Sequence, residues 1–416
     1  MSNSSIRPMY RREFLERLGN VSLGAAAAGG IVKAKGLGDG SPGPEQAHRQ
    51  AALDDATQAR IQKPWQPVSD RKVRVGIVGY GVCQFGAAFG FQDHPNVEIV
   101  AVSDLIPERC KGLMKACRCG KSYESLEVLV QDPKIEAVFV ATDAPSHPRH
   151  CREVLNHGKH VMTAVPATFG SIEEAEQLLE TVKKTGLKYM MAETSCYRED
   201  CYAMRQIYRA GGFGRLIYSE GEYYHFSATP IGSFKEWRVG LPPLWYPTHS
   251  MAYYVGVTGK RFTSVSCLGF NAGHPEYRPG ANRYNNPFTD EVALLETSEG
   301  GSSRMLMCKG VHSLVVEQGR VFGEKGWMDG TKYQGAVKEL PDITRPALPP
   351  GMPAGGHAGS HGPLTDEFIT SILKDRQPLV NIYEALAMTV PGIVAHQSAL
   401  KGGERLKVPQ YDPPKG

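Results

Sequence analysis

Tyr246 and His249 stand one helical turn apart in the segment LWYPTHSMAYY, residues 244–254. An imidazole changes its charge near neutral pH, and a phenol beside it can share the proton, so the two residues form a candidate acid–base pair. Pro247 and Thr248 predict that a helix begins here, with Thr248 as its N-cap residue. The aromatic and methionine residues that follow predict that this helix is buried. Taken alone, the same residues are also compatible with a structural turn and helix cap.

A pair that moves protons must be positioned by a scaffold, and the chain offers a dinucleotide-binding unit. The apolar segment 73–78 predicts a buried strand, and Gly79 and Gly81 follow it in the order Gly-Tyr-Gly. Glycines at these positions permit a tight turn and let a pyrophosphate approach the backbone N–H groups. The third position of the usual fingerprint is Gln84 and the next glycine is Gly86, so the motif alone is a weak indication.

The end of the second predicted strand strengthens this interpretation. The segment VEIVAVSD places Asp104 at the strand end, where a carboxylate accepts hydrogen bonds from ribose hydroxyls and repels a 2′-phosphate. Asp104 therefore predicts NAD rather than NADP. Arg109 is close in sequence, but Pro107 assigns it to the following helix. Further strand–helix units follow, and residues 71–193 are predicted to form a doubly wound, parallel Rossmann domain. A doubly wound domain that binds no dinucleotide is the alternative.

Four segments carry a family resemblance: GIVGYG, AVSDLIPER, VFVATDAPSHPRHCREVLNHGKHV and GLKYMMAE. In this order they resemble the Gfo/Idh/MocA oxidoreductase family, over roughly residues 72–410. The resemblance implies an α/β protein in which an N-terminal Rossmann domain binds NAD. It also implies a second, α+β domain, residues 194–416, with an open, mostly antiparallel sheet, and the predicted strands beyond Gly214 agree. The exposed face of such a sheet commonly pairs subunits, which implies a homo-oligomer.

The resemblance also implies where the cofactor is bound. The contacts fall on residues Gly79, Gly81, Cys83, Asp104, Thr142, Asp143, His147, Val165, Pro166 and Thr194. His147 is expected near the nicotinamide ribose, and a cap of its own helix is its alternative role. Many dehydrogenases of this family have Glu-Lys-Pro where this chain has Ala164-Val165-Pro166. The lysine that hydrogen-bonds the reacting hydroxyl is missing, so another group must take the proton.

A second set of segments, MMAETSCYRED, FGRLIYSEGEYYHF, EWR and YPTHS, resembles one branch of the family. This branch is the NAD-dependent glycosidases, typified by bacterial α-N-acetylgalactosaminidases. There NAD is not consumed: the sugar is oxidised at C3, the C2 proton is removed, the C1 substituent leaves, water adds and the hydride returns. The resemblance assigns catalysis to Tyr246, His249 and Tyr197, and substrate binding to Arg238. Tyr223, in the strand EYYHF, is predicted to face either the pocket or a neighbouring subunit.

Three functions are compatible with this sequence. The first is redox-neutral cleavage of a glycoside, and the second is a net sugar or polyol dehydrogenase that releases NADH. The third is a non-catalytic, NAD-loaded sugar-binding protein, which the missing lysine favours and the retained Tyr197, Tyr246 and His249 disfavour. Ala164 and Thr194 replace a Glu and an Asn of the glycosidase branch, so the sequence does not identify the sugar.

The N-terminal segment has a different character. Residues 1–35 contain Arg-Arg-Glu-Phe-Leu followed by the small apolar run LGNVSLGAAAAGGIV, and together these resemble a twin-arginine export signal. Because the apolar run is too short for an ordinary membrane span, we expect export to the periplasm without a stable span. An amphipathic N-terminal helix is the alternative. Residues 36–70, rich in Gly, Pro, Gln and Ala, are predicted to be a flexible linker.

Composition limits the remaining partners. The formal net charge is only +4 for 416 residues and no run of lysine and arginine occurs, which argues against a nucleic-acid partner. The 9 cysteines form no Cys-x-x-Cys motif, and the 13 histidines form no zinc-binding helix motif with a carboxylate. No metal site is therefore predicted, and a carbohydrate is the expected small-molecule partner.

Overall fold

The computed structural model describes residues 64–413, except residues 314 and 338. The predicted export signal, residues 1–35, lies outside the described residues, as does the predicted linker up to residue 63. Within the described part of the chain, no helix is both long and apolar enough to cross a membrane.

The first part of the described chain forms a parallel sheet of six strands in the order β3-β2-β1-β4-β5-β6. The strands are β1 (Val73–Val78), β2 (Val97–Ser103), β3 (Ser122–Tyr123), β4 (Ala137–Val140), β5 (His160–Thr163) and β6 (Tyr189–Met191). The order reverses between β1 and β4, and ligands of doubly wound sheets bind at the carboxyl ends of the strands beside such a switch point. The predicted Rossmann fold is confirmed.

Helices cover this sheet and connect its strands. They are α1 (Phe85–Ala88), α2 (Pro107–Ala116), α3 (Leu126–Leu129), α4 (His147–Asn156) and α5 (Ile172–Thr185). Local signals in the sequence explain where α5 begins and ends. The Ser171 hydroxyl accepts a hydrogen bond from the Glu174 N–H at 3.1 Å, and Gly186 ends the helix in the left-handed conformation that glycine favours.

The second sheet has eight strands in the order β13-β12-β11-β7-β10-β9-β8-β14. The strands are β7 (Leu216–Tyr224), β8 (Phe262–Phe270), β9 (Asp290–Thr297), β10 (Ser302–Cys308), β11 (Val316–Gly323), β12 (Gly326–Asp329), β13 (Lys332–Gly335) and β14 (Leu406–Lys407). β7 and β10 pair in parallel, whereas the other pairs are antiparallel. The predicted open, mostly antiparallel sheet is confirmed.

Five helices accompany the second sheet. They are α6 (Glu199–Arg209), α7 (Thr248–Thr258), the short turn α8 (Gly356–Gly359), α9 (His361–Leu373) and α10 (Ile382–Leu400). Helix α7 packs on β7 and β11, and α10 packs on α7 and β8. The C-terminal helices also return to the first sheet, since α9 contacts β1 and α10 contacts β6.

Helix α7 carries the Tyr246–His249 segment, and the cap predicted for it is wrong. The Pro247 carbonyl accepts the N–H groups of Ser250 and Met251, both at 3.1 Å, so Pro247 is the N-cap residue. Thr248 therefore lies in the first turn, where its buried hydroxyl has no hydrogen-bond partner among the described residues. Most of the α7 side chains are buried, on every side of the helix, which confirms that the segment is an internal element.

Candidate active site

The glycine turn after β1 has the shape that a dinucleotide requires. Gly79 has φ = 93°, and a Cβ there would stand 2.4 Å from the Ala141 carbonyl oxygen. A Cβ on Gly86 would stand 2.3 Å from the Gly79 carbonyl oxygen. Gly86 thus provides the close helix–strand packing expected of the third fingerprint glycine, although it is displaced from the usual position. The space beside Gly81 is open, because no atom lies within 4 Å of the point where a Cβ would stand.

A cleft of about 940 Å³ lies over this turn. Its lining includes Cys83, Asp104, Thr142 and Asp143 together with both turn glycines. Asp104 stabilises the turn itself, because its Oδ2 accepts the Tyr80 N–H at 2.8 Å while Oδ1 accepts the Ile106 N–H at 2.9 Å. The residues present therefore fit a dinucleotide. Arg109 lies on α2, as predicted, but it lines the same cleft.

His147, expected near the nicotinamide ribose, is not among the residues that line this cleft. It is fully buried, with Nδ1 at 2.9 Å from the Pro166 carbonyl oxygen and Nε2 at 3.2 Å from the Thr142 carbonyl oxygen. Burial lowers its pKa, although both carbonyls oppose the effect. His147 positions the two loops that edge the cleft. Its helix-cap alternative fails, since His147 is the first residue of α4.

A second cavity of about 740 Å³ adjoins the cleft, and we call it the active cavity. It is lined by Val165, Thr194, Tyr223, Arg238, Tyr246 and His249, all predicted from the sequence, together with His357. Cys83 and Arg238 line both spaces, so the cofactor cleft and the active cavity meet there. The peptide bond between Val165 and Pro166 is cis. Ala164 and Val165 face the cavity without a titratable group, at the position of the missing lysine.

His249 is held by a buried carboxylate. Its Nδ1 donates to Glu193 Oε1 at 2.8 Å, and the Thr194 hydroxyl lies 3.4 Å from the same nitrogen. Glu193 is 0% exposed and follows β6, and its Oε1 also accepts the Ser195 N–H at 2.8 Å. Because Nδ1 is engaged in this way, Nε2 is the ring nitrogen left for a ligand. The Tyr246 ring lies 5.8 Å from the His249 ring.

A second histidine–carboxylate pair stands beside the first. The His357 ring stacks on the His249 ring at 5.7 Å, and its Nδ1 donates to Glu317 Oε1 at 2.9 Å. Glu317, on β11, is also 3.7 Å from an Arg198 guanidinium nitrogen. His357 has φ = 50° within α8, an uncommon conformation that recurs at functional sites. Glu317 and His357 also line a separate cavity open to solvent, and His357, which lines both cavities, stands between the active cavity and that opening.

Comparison with known proteins agrees with this geometry. Residues 73–193 match the family described as "Oxidoreductase family, NAD-binding Rossmann fold", Gfo/Idh/MocA. The Rossmann domain is therefore similar to the NAD-binding domain of the Gfo/Idh/MocA oxidoreductase family. The resemblance inferred from the sequence is confirmed, as is NAD as the cofactor.

Curated relatives extend the similarity to the rest of the chain. The chain is 26% identical to glycosyl hydrolase family 109 protein 2 of Akkermansia muciniphila, over 96% of both chains. It is 24% identical to a glycosyl hydrolase family 109 protein of Solibacter usitatus, over 82% of this chain and 88% of that one. A family 109 protein of Bacteroides fragilis is 33% identical, but over only 37% of this chain and 35% of its own length.

Solved structures share the fold at low sequence identity. The scyllo-inositol dehydrogenase of Lactobacillus casei superposes with a TM-score of 0.66 at 15% identity, over 82% of this chain and 99% of that chain. A levoglucosan dehydrogenase in complex with NADH and levoglucosan superposes with a TM-score of 0.65 at 15% identity, over 82% and 100%. At this identity the likeness concerns the fold alone.

The electrostatics of the active cavity are unusual. Burial lowers the pKa of His249, but the charges of Glu193 and Glu317 outweigh burial and raise it to about 9. Burial raises the pKa of Glu317, but His249 and His357 outweigh it and lower the value to about 2. Burial raises the pKa of Tyr246 to about 12. At neutral pH the cavity therefore presents an imidazolium and a neutral phenol, whereas the sequence predicted a pair that changes its charge near neutral pH.

Tyr197 is not among the residues that line this cavity, so the structure does not bring it together with Tyr246 and His249, and its assignment to catalysis stays a prediction. Its ring lies 5.6 Å from the Arg205 guanidinium and 6.3 Å from the Tyr202 ring. The turn Thr194–Tyr197 packs against α6 and α9, and the Tyr197 ring enters that layer. Thr194, at the other end of the same turn, is the residue that reaches the cavity.

Sequence reasoning missed Glu193 and Glu317 as functional residues. Glu193 ends the MMAE segment at the carboxyl end of a parallel strand, where ligands of such sheets bind. This position in the sequence could therefore have identified Glu193 as a candidate site residue. Glu317 gives no such signal, because only the pairing of β11 with β7 brings it to the cavity. Among the described residues no cluster of His, Cys, Asp and Glu has the arrangement of a metal site.

Proposed function

We propose that the protein is an NAD-dependent enzyme that cleaves a glycoside without net redox change. The observation that carries the proposal is the Glu193–His249 pair in a cavity that adjoins the cofactor cleft, at a site without the family lysine. The overall similarity to glycosyl hydrolase family 109 proteins supports a carbohydrate substrate.

The reaction begins with oxidation of one sugar hydroxyl to a ketone. The residues around Gly79, Gly81 and Asp104 would hold NAD, which when bound would supply hydride-transfer chemistry at this carbon. Arg238, which lines both spaces, offers several N–H donors that orient sugar oxygens. The hydroxyl proton needs an acceptor. We assign this role to the Tyr246–His249 pair, because Ala164 and Val165 cannot titrate.

The ketone acidifies the hydrogen on the neighbouring carbon, and a base must remove it. His249 has Nε2 available for this step once it has lost its own proton. His357, stacked on His249 and hydrogen-bonded to Glu317, provides a group beside the cavity through which that proton can reach solvent. The departing C1 substituent needs a proton, which the neutral Tyr246 phenol or the His249 imidazolium can donate. Water then adds to the double bond and the ketone is reduced.

The decisive experiment is turnover in D₂O with a panel of α- and β-glycosides. Redox-neutral cleavage predicts that the released sugar carries one deuterium at C2 and that no reduced cofactor accumulates. Accumulation of reduced cofactor with an intact ketosugar would refute cleavage and indicate a net dehydrogenase. Binding of sugars without either reaction, in a protein that retains NAD, would indicate a sugar-binding protein.

Two variants test the assigned residues. Tyr246→Phe removes only a hydroxyl, and His249→Asn removes the titratable ring, so each should lower kcat by about 10²–10⁴-fold. Tyr411→Phe is the matched control, because this partly exposed tyrosine lies near the C-terminus and lines neither the cleft nor the active cavity. Full activity in both site variants would refute the assignment.

We also propose that the protein is exported through the twin-arginine route. An enzyme that regenerates its cofactor in every turnover can work where free NAD is scarce, provided that NAD is bound before export. Fusion of residues 1–35 to a reporter should give export that depends on Arg11 and Arg12. Export that persists after both are changed to lysine would contradict the proposal.

A further inference from the structure

A third cavity, of about 570 Å³, opens beside the active cavity, and we call it the side cavity. Tyr223, Arg238 and Tyr246 line both cavities. Lys309, which follows β10, lines only the side cavity among these three spaces. A substituent of a sugar bound at Tyr246 and His249 can therefore extend toward Lys309.

The Lys309 ammonium has few hydrogen-bond partners in this position. Its Nζ has three N–H donors, and its one hydrogen bond among the described residues goes to the Leu241 carbonyl oxygen at the long distance of 3.3 Å. No carboxylate of the described residues forms an ion pair with it. A buried ammonium without such a partner is costly.

Arg238 faces the same space and is also without a carboxylate partner among the described residues. Its guanidinium lies 4.3 Å from the centre of the Trp237 ring, and its backbone N–H donates to the Ser233 hydroxyl at 3.1 Å. The Arg238 guanidinium is thus held by stacking on Trp237, and its N–H donors face the cavities rather than another side chain.

The carboxylates near Lys309 are engaged elsewhere. Asp290 accepts the Gly310 N–H at 2.9 Å and the Thr289 hydroxyl, while Glu291 accepts the Leu244 N–H at 2.8 Å. Glu291 also pairs with His396 at 2.6 Å. The remaining charged or titratable groups that face this region are Glu276, His274, His225 and Tyr277, besides Tyr223 and Tyr246, and Glu276 lies 3.7 Å from His274.

Burial and, after it, the nearby Arg238 charge outweigh Glu291, Asp290 and Glu276 and lower the pKa of Lys309 to about 7. The amine is therefore close to losing its charge at neutral pH. An anion placed between Arg238 and Lys309 would remove the repulsion of the two cations and hold the lysine in its charged form.

We propose that Arg238 and Lys309 form a subsite for an anionic substituent, a carboxylate or a sulfate ester, on the sugar that enters the active cavity. The preferred substrates are then acidic glycosides such as hexuronides. This inference rests on the proposed function, since it names the substrate class of the same site.

Calorimetry of the NAD-loaded protein tests the subsite directly. Glucuronate and galacturonate should bind at least about 10-fold more tightly than glucose and galactose, in line with charge-assisted hydrogen bonds. Glucose 6-sulfate in parallel distinguishes a sulfate from a carboxylate. Titrations near neutral pH, in buffers with different ionisation enthalpies, should show proton uptake on binding of the acidic sugar, because Lys309 becomes fully charged.

Variants separate charge from shape. Lys309→Met should remove most of the preference for acidic sugars and the proton uptake, and leave the affinity for neutral sugars within about twofold. Lys309→Arg should retain the preference, whereas the exposed Lys332→Met on β13 should change nothing. Equal affinity for acidic and neutral sugars, or a preference unaffected by Lys309→Met, overturns the subsite. Failure to bind any acidic sugar overturns it as well.

Turnover measurements keep this inference distinct from the proposed function. Acidic sugars that bind in a Lys309-dependent way, but whose glycosides are not cleaved, would support the subsite and refute the glycosidase. Cleavage of neutral glycosides without affinity for acidic sugars would support the glycosidase and refute the subsite.

Discussion

Replacing Glu193 by Gln removes a buried negative charge 2.8 Å from the His249 ring and keeps the shape of the side chain. Burial lowers the pKa of His249, and the charges of Glu193 and Glu317 raise it to about 9. A hydrogen bond between charged groups contributes about 1.5–3 kcal/mol, and about 1.4 kcal/mol corresponds to one pH unit in a pKa. Glu193→Gln should therefore lower the pKa of His249 by about one to two.

Selective ¹⁵N labelling of histidine measures this change, with the His249 resonance assigned from a His249→Asn spectrum. The pH dependence of kcat should follow the titration. If deprotonated His249 is the base, the rise in rate, which has its midpoint near pH 9 in the native protein, should occur at lower pH in the variant. The plateau should also be lower, because the base is weaker. A His249 pKa that stays near its native value would refute the assigned electrostatic role of Glu193.

Protein stability gives an independent readout of the same coupling. A histidine with a raised pKa stabilises the folded state fully below its unfolded pKa, and this stabilisation is lost as the pH rises through the folded pKa. For His249, with values of 6.5 and about 9, the loss amounts to about 3 kcal/mol over this interval. Urea denaturation across the interval should show this loss in the native protein and much less of it in Glu193→Gln.

Asp366→Asn is the matched control for this prediction. It removes a carboxylate from another buried histidine, His94, at 3.1 Å, outside the active cavity. We expect a change in stability without a change in the pH profile of kcat. An equal displacement of the profile in both variants would show that general destabilisation, rather than the Glu193 charge, sets the pH dependence.

Three further variants test other parts of the structure. Glu317→Gln should lower the pKa of His249 by less than Glu193→Gln does, because Glu317 makes no direct hydrogen bond to His249, and the same NMR titration measures this. Gly79→Ala should weaken NAD binding at least about 10-fold by calorimetry, since its Cβ would stand 2.4 Å from a carbonyl oxygen in a positive-φ turn. Leu294→Lys, on the outer face of the second sheet where Leu294 is 59% exposed, should convert the proposed homo-oligomer to a monomer in sedimentation velocity.

Matched controls accompany these variants. Gly120→Ala introduces the same methyl group where no atom lies within 4 Å, and should leave NAD affinity unchanged. Leu400→Lys changes another exposed leucine, 53% exposed at the end of α10, and should leave assembly unchanged. Native NAD affinity in Gly79→Ala would contradict the tight-turn argument. A monomeric native protein would contradict the proposed interface on this sheet face.

Sequence reasoning succeeded where the signal is local. The strand before Gly79, the turn itself and Asp104 at the next strand end are read from neighbouring residues, and the structure forms the cleft from them. The displacement of Gly86 weakened the match to the sequence motif. It did not change the fold, because Gly86 still packs closely against the Gly79 carbonyl oxygen. The alternating strands and helices predicted the parallel sheet for the same reason.

Reasoning from the sequence was less informative where the outcome depends on distant partners or on side-chain direction. Tyr197 matched a family motif, yet its ring turns into the layer between α6 and α9. Thr248 has the residue type of an N-cap, but the Pro247 carbonyl takes that position one residue earlier. The pairing of His357 with Glu317 depends on the left-handed backbone conformation of His357. A histidine in the sequence does not predict this conformation, which is uncommon for residues other than glycine.

The replacement of Glu-Lys-Pro by Ala164-Val165-Pro166 is consistent with the charges found around His249. A lysine at position 165 would bring a further cation into the cavity that Arg238 and the His249 imidazolium already line, and like charges lower each other's pKa. The Glu193 carboxylate, 0% exposed, instead holds one proton on the imidazole. The acceptor for the hydroxyl proton thus lies on α7, close to the phenol of Tyr246, in our proposal. One titratable centre would then serve both the oxidation and the removal of the C2 proton.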